Sequence, residues 1–184
     1  MGSDKALMLL SEIPLIQHVT LALKAVSDEQ FVVAPTERAY QFLDLPIYQD
    51  PIPNTGALGG LYAALYHARG RYVINAACDM PFLSGPLFKF LCAQAEERDM
   101  DVVIPWPATG PEPMHAVYRR ETCLPAVEDA LKRGERKMIG WHPAVRVLRI
   151  LPSVMMNYDP EGLCFWNINT PEDLLEAENY LFNL

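Results

Sequence analysis

Gly70-Arg71-Tyr72-Val73-Ile74-Asn75-Ala76-Ala77-Cys78-Asp79-Met80-Pro81-Phe82-Leu83 is an almost unbroken apolar run that stops at a carboxylate. Tyr72 to Cys78 is too short for a helix and too continuously apolar for a half-exposed strand. It reads as a central strand of a parallel sheet covered on both faces. Such sheets bind ligands beyond the carboxyl ends of their strands, where Asp79 stands, and Pro81 prevents the strand from continuing. Two duties are open to Asp79: organising the turn or capping the next helix, or holding a hard cation such as Mg²⁺. Ser84, ahead of Gly85-Pro86 and the apolar Leu87, Phe88 and Leu91, competes for the capping duty. It leaves Asp79 without an obvious structural one.

Before this strand comes Asp50-Pro51-Ile52-Pro53-Asn54-Thr55-Gly56-Ala57-Leu58-Gly59-Gly60-Leu61, followed by helical spacing through Ala64, Leu65 and Ala68. Helix starts carry unpaired N–H groups and a positive partial charge, and glycines let a ligand lie against the backbone. The stretch is therefore either a nucleotide-receiving loop or a plain strand-to-helix connection. Phe31 to Ala34 reads as a short buried strand, Pro35 to Leu43 as a short helical piece, and Leu45 to Tyr48 as a strand ending close to Asp50. Leu15, Val19, Ala22, Leu23 and Val26 recur at helical spacing after Pro14, which suits a first turn. Met1-Gly2-Ser3-Asp4-Lys5-Ala6 is either the end of a phosphate-binding loop or an ordinary polar chain end.

After Asp79 the spacing predicts a helix from Ser84 to about Glu97 and a strand over Asp101–Pro105. A Pro-rich surface loop from Trp106 to Pro113 and a strand over Met114–Tyr118 follow. His115 is either a ligand or proton donor, or a core residue, and Arg119-Arg120 either meets a phosphate or lies on a solvated face. Thr122 to Lys132 reads as a helix with Gly134 as its C-cap, and Val145–Ile150 alternates as an edge or half-exposed strand should. Thr170, Pro171 and Asp173 open a last helix as N-cap, first residue and capping-box partner, and its face of Leu174, Ala177 and Leu181 should pack on the sheet. Asn167 and Asn169 have no evident structural duty. The strand–helix alternation indicates an α/β fold with a parallel sheet.

The 184 residues suit a single domain spanning 1–184, and no apolar run approaches the ~20 residues of a membrane span. Four widely spaced cysteines, Cys78, Cys92, Cys123 and Cys164, suggest neither a zinc site nor disulfides and fit a reduced cytoplasm. A net charge of −8 argues against a nucleic-acid partner, although one Lys and a metal ion can reverse the sign locally for an anionic small substrate.

The order of these pieces resembles the molybdenum cofactor guanylyltransferases, within the nucleotidyltransferases of Rossmann-like fold. The matching stretches are Met1 to Ala6, Pro14-Leu15-Ile16, Gly56-Ala57-Leu58-Gly59-Gly60-Leu61, Cys78 to Leu83, Pro113-Met114-His115-Ala116-Val117-Tyr118 and Asn167 to Leu174. The resemblance implies a three-layer sandwich of the nucleotide-diphospho-sugar transferase type, with a mostly parallel sheet. It implies transfer of GMP from GTP to molybdopterin with release of pyrophosphate, and Mg²⁺ as cofactor. Lys5, Asp50 and Asp79 would contact GTP, with Gly59 a weaker contact; Lys5 and Asp79 would be catalytic and Asp79 would hold the metal. Molybdenum-insertion or molybdoenzyme chaperone proteins would be partners. The physical reading agrees, because joining two anions at the α-phosphorus calls mostly for charge neutralisation and alignment, which Lys5 and a metal on Asp79 would supply. A carboxylate at Asp50 suits a guanine edge, whose N1–H and N2–H₂ groups are both donors.

The chain departs from the family pattern in three places. Glu12 stands where a Gly is usual, Ala57 replaces a Pro, and the first strand with its Leu-Ala-Gly-Gly loop does not precede Met1. The in-frame DNA upstream of Met1 is expected to encode roughly 10–20 further residues, a buried strand followed by a glycine pair and a basic residue, because a βαβ unit needs a strand before the Pro14 helix. The alternatives are a nucleotidyltransferase of this fold with another acceptor or base, such as CMP to molybdopterin, a sugar phosphate or methylerythritol phosphate, and a non-catalytic nucleotide- or partner-binding remnant.

Overall fold

The computed structural model describes residues 4–52 and 54–183; Met1, Gly2, Ser3 and Pro53 of the quoted segments lie outside them. The chain opens with a 3-10 turn over Lys5–Leu7 and a hairpin of β1 (Leu9–Leu10) and β2 (Ile13–Pro14), then α1 (Leu15–Leu23). Next come β3 (Val32–Val33), a 3-10 segment over Arg38–Leu43, β4 (Ile47–Tyr48), α2 (Gly56–His67) and β5 (Tyr72–Ala76). They are followed by α3 (Gly85–Glu97), β6 (Val102–Pro105), β7 (His115–Arg119) and α4 (Arg120–Lys132). The chain closes with β8 (Val147–Ile150), the short α5 (Pro152–Met155) and α6 (Pro171–Phe182).

Four strands form a sheet in the order β5-β7-β6-β8, and β3 pairs with β4 in a separate parallel pair. Alternation along the strands divides the core into two faces. Val102, Ile104, Ala116 and Tyr118 pack under α2 and α4 with Trp141, while Val103, Val117 and Ile150 pack under α1 and α3. Burying each such side chain stabilises the fold by ~1.5–3 kcal/mol. The result is the three-layer α/β arrangement expected from the sequence. Among the described residues, no helix is long and apolar enough to cross a membrane.

Three expectations change. The strand at Tyr72 is not central: among the described residues β5 is bonded to β7 alone, in an antiparallel ladder, and its other edge faces a cleft. The reversal has a local cause. The Trp106–Pro113 segment contains no helix to carry the chain across the sheet, so β7 returns antiparallel beside β6. β5, β6 and β8 still run in one direction, with β7 the single reversed strand. Second, Gly59 and Gly60 are not in a loop but in the first turns of α2. Third, Leu174, Ala177 and Leu181 of α6 pack with Leu10, Leu15 and Ile168, on the β1–β2 hairpin rather than on the four-stranded sheet. The capping box at Thr170 and Asp173 and the Ser84 cap, which accepts from Leu87 N–H at 3.2 Å, are present as expected. The hairpin turn holds Ser11 at φ 51° and Glu12 at φ 66°, a left-handed pair that favours glycine and that makes Glu12 a strained substitute.

At the end of the sheet away from Asp79, the Arg119-Arg120 pair is structural rather than solvated or free for a phosphate. Arg119, 8% exposed, donates to Asp99 at 2.7 Å and to the Tyr72 hydroxyl, and Arg120 donates to the Leu65 carbonyl. Arg146 grips the buried Asp101 through Nε and Nη2, both at 3.1 Å, and through its own N–H at 2.9 Å. Burial alone would raise the Asp101 carboxyl, but the hydrogen bonds from Arg146 and Thr122 outweigh it and hold the group near 2. The depressed value means that the stability it contributes is present above about pH 4 and lost as pH falls through about 2. Urea unfolding should therefore show ~2 kcal/mol disappearing across that window. Asp101→Ala should cost about 3–5 kcal/mol at pH 7, because it strands Arg119 and Arg146, and should remove that share of the acid sensitivity.

Candidate active site

β5 delivers the chain to Ala77-Cys78-Asp79, and the buried Met80 and Leu83 anchor the following turn in the core beneath α3. Asp79 is half-buried there. Its carbonyl accepts from Ile168 N–H at 2.8 Å, which brings Asn167 and Asn169 to the same end of the sheet. Asn167 and Asp79 line one cleft. Among the described residues no donor reaches the Asp79 carboxylate, and Ser84 performs the capping duty, so the carboxylate's lone pairs are unengaged.

Lys5 is positioned by its neighbours. Asp4 caps the 3-10 turn by accepting from Ala6 N–H at 3.2 Å, and its second oxygen accepts from the buried Tyr40 hydroxyl. Burial and the Asp4 carboxylate both push the Tyr40 phenol far above its usual range, so it stays a donor. The exposed Lys5 ammonium donates to Asn169 Oδ1 at 2.9 Å. Cys78 sits amid this group: burial, then the Asp79 and Asp4 carboxylates, push its thiol up to about 11, with Lys5 opposing them. It is a neutral thiol. Lys5 and Asn169 thus meet although 164 residues separate them, and Asp79 and Asn167 line a cleft at the same end of the sheet. Nothing in the sequence pointed to Tyr40, and Asp4 was legible only as the residue ahead of Lys5.

Asp50 and Gly59 form a second group before α2. The Asp50 carboxylate accepts from Ile52 N–H at 2.9 Å, and its other oxygen lies 3.2 Å from the Thr55 hydroxyl, which donates more closely to the Ile52 carbonyl at 2.6 Å. It organises that turn, and each oxygen keeps a further lone pair. Gly59 is required by crowding: a Cβ there would lie 1.8 Å from Thr55 Oγ1 and 2.4 Å from Asp50 Oδ2. His115, by contrast, is removed from the site. It is fully buried and stacked on Phe88 with ring centroids 4.3 Å apart, and neither ring nitrogen has a partner among the described residues. Burial drives its value down to about 3, so it is a neutral core residue rather than a ligand or proton donor.

Among the described residues, the Asp79 carboxylate has the chemistry to receive a divalent cation. Mg²⁺ commonly takes one or two carboxylates and completes its shell with phosphate oxygens and water. Among the described residues no group of three or more His, Cys, Asp or Glu could hold a metal unaided, whereas the unengaged Asp79 carboxylate suits an ion that arrives with a polyphosphate.

Comparison with known proteins shows the family and the fold. Residues 1–147 match the MobA-like NTP transferase domain. The molybdenum cofactor guanylyltransferase of Desulfosudis oleivorans is 34% identical over 177 residues, which cover 96% of this chain and 87% of that protein. A probable molybdenum cofactor guanylyltransferase of Carboxydothermus hydrogenoformans is also 34% identical, over 94% of this chain and 86% of its own. The crystal structure of molybdopterin-guanine dinucleotide biosynthesis protein A from Archaeoglobus fulgidus superimposes with a TM-score of 0.84 at 29% identity, covering all of this chain and 93% of that one. The fold extends to 2-C-methyl-D-erythritol 4-phosphate cytidylyltransferase of Thermus thermophilus, at TM-score 0.69 and 14% identity over 97% of this chain and 94% of that one.

The two adjacent glycines of α2 should respond oppositely to a methyl group. Gly59→Ala forces apart Asp50 and Thr55 and should destabilise by about 1–3 kcal/mol. Gly60→Ala meets nothing within 4 Å and should stabilise by up to ~1 kcal/mol through helix propensity. Paired urea unfolding curves measure both; a Gly59→Ala protein as stable as the parent would remove the crowding argument.

Proposed function

Because this chain belongs to the MobA-like NTP transferase family, a family of nucleotidyltransferases, we propose that it is a molybdenum cofactor guanylyltransferase that moves GMP from GTP to molybdopterin. A phosphate oxygen of the pterin attacks the α-phosphorus, the bond from that phosphorus to the bridging oxygen breaks, and pyrophosphate leaves with the electron pair. Nothing is oxidised or reduced. The observation that supports the reading most directly is the meeting of an exposed ammonium and an unengaged carboxylate at the end of β5, where two polyanions must be brought together.

Each residue has a part in this scheme. Lys5 donates to phosphate oxygens and offsets charge that builds on the leaving group. Asn169 holds the Lys5 ammonium in place until phosphate replaces it. Asp79 would hold Mg²⁺, which when bound supplies charge neutralisation across the phosphates. Asp50 offers its remaining lone pairs to the N1–H and N2–H₂ donors of guanine, and Gly59 lets Asp50 and Thr55 close on the start of α2 to hold that carboxylate in place. The reaction belongs in the cytoplasm, and the acceptor pterin would arrive from molybdenum-insertion proteins and leave with a molybdoenzyme chaperone.

Two measurements test these roles. Asp79→Asn should lower Mg²⁺-dependent pyrophosphate release by on the order of 100-fold or more, with an unchanged melting temperature. It should also abolish the increment that Mg²⁺ adds to GTP binding; an intact increment would disprove the metal role. GTP should raise the melting temperature more than ATP or CTP at equal concentration, by mass action on the folded state. Equal shifts for the three nucleotides would count against Asp50 as the reader of the base.

A further inference from the structure

Glu112 lines the same cleft as Asp79 and Asn167, and neither the fold nor the proposed reaction has yet used its side chain. Its backbone is held firmly. The Glu112 N–H donates to the Pro105 carbonyl at 3.1 Å, and its carbonyl accepts from His115 N–H at 3.0 Å. The next carbonyl, that of Pro113, accepts from two buried side chains: the Tyr118 hydroxyl at 2.7 Å and Asn75 Nδ2 at 3.2 Å. The Met114 carbonyl then accepts from Ala77 N–H at 3.0 Å, two residues before Asp79. Asn75 is a buried polar residue in an otherwise apolar strand, and its duty is to fix this turn.

The side chain is treated differently from the backbone. Among the described residues nothing donates to the Glu112 carboxylate; it is half-buried, and desolvation alone raises it above the usual carboxylate range. A carboxylate withdrawn from water without a donor costs free energy. Carboxylates that serve only the fold are saturated here: Asp101 takes Arg146 and Thr122, and Asp159 accepts from the Leu163 and Cys164 N–H groups. A rigid backbone that keeps an unengaged acceptor at the cleft is the arrangement of a group that waits for the donors of a ligand.

The chemistry of the reaction decides which donors. Guanine presents N1–H and N2–H₂ on one edge, and a pterin presents the same pair as N3–H and its 2-amino group, so a dinucleotide of the two carries two edges of one kind. Each suits a carboxylate. β5, whose end carries Asp79, has β7 along one edge and, across the cleft, β3 and its partner β4 along the other. Asp50 follows β4 and Glu112 precedes β7, so the two carboxylates come from opposite sides of the residue that would hold the metal. We propose, resting on the guanylyltransferase reading, that Glu112 recognises the acceptor: its carboxylate accepts two hydrogen bonds from the N3–H and 2-amino donors of the pterin, while Asp50 receives the guanine.

The test reads a reversal of preference rather than a loss. Lumazine carries a carbonyl in place of the 2-amino group of pterin, so that edge offers one donor and one acceptor. Glu112→Gln offers the complement, an acceptor oxygen beside a donor NH₂. In saturating GTP and Mg²⁺, titration calorimetry should show the parent binding pterin at least about tenfold more tightly than lumazine, and Glu112→Gln should reverse that order. The variant should also raise the KM for molybdopterin about 10- to 100-fold, with the KM for GTP and the GTP-induced rise in melting temperature unchanged. A pterin-to-lumazine ratio that Glu112→Gln does not move would overturn the proposal, as would a parent that binds neither compound or binds both equally. A variant whose preference shifts instead from GTP to XTP would overturn it too, by giving the carboxylate to the nucleotide. GMP transfer by the parent separates the two readings. Transfer to molybdopterin with an unmoved ratio sinks the role of Glu112 alone, whereas a reversed ratio without transfer sinks the guanylyltransferase reading and leaves the pterin site standing.

Discussion

The hydrogen bond from Ile168 N–H to the carbonyl of Asp79, 2.8 Å long, is the joint on which the functional end of the molecule depends. A strand-end carboxylate alone is a turn residue. Once the backbone of Ile168 is fixed to it, Asn167 and Asn169 arrive on either side, and Asn169 in turn fixes the Lys5 ammonium. The joint is reinforced from below by Ile168, which is fully buried with Leu10, Leu15 and Ala177. Apolar burial of α6 on the N-terminal hairpin and polar assembly at the site are thus two results of one docking event.

The sheet separates its labours by end. The Asp79 end keeps its charged groups exposed or loosely held, as the proposed site for anions would require. The opposite end carries the dense cluster of Asp99, Asp101, Arg119 and Arg146, where a carboxylate and a guanidinium are both nearly buried and each is repeatedly hydrogen-bonded. A buried charge of this kind is tolerated only when its partners are all in place, so that cluster fixes the register of β6, β7 and β8 at the end of the sheet away from Asp79.

Much of the fold was legible because local chemistry and packing agree there. Ser84, Thr170-Pro171 and Gly134 mark helix ends by mechanisms that need no tertiary partner, and the structure keeps all three. The α/β class and the family were readable from the order of short motifs. What escaped was set by distant contacts. Tyr72–Ala76 has the composition of a central strand, but its composition does not reveal that β7 returns antiparallel on one side and that the other side is a cleft. The glycines at 59 and 60 look like loop residues, because the crowding by Thr55 and Asp50 that demands one of them exists only in three dimensions. Of the proposed site, Lys5 and Asp79 could be named from position, whereas Tyr40 carries no local signal: its part comes from lying against Asp4, 36 residues earlier. The Arg119-Arg120 pair reads as surface because sequence does not show that two aspartates 18 and 20 residues before Arg119 fold back onto it.

The placement of β7 between β5 and β6 has a consequence for how the protein is made. β6 leaves the ribosome before β7, yet in the finished sheet the two earlier strands touch only through the later one. A nascent chain ending anywhere between Pro105 and His115 therefore holds two hydrophobic strands with no native neighbour in common, each with edge groups open to mispairing. β5 and β6 thus gain their shared neighbour only after β7 has been made, and Arg119 at its end then meets Asp99 and Asp101.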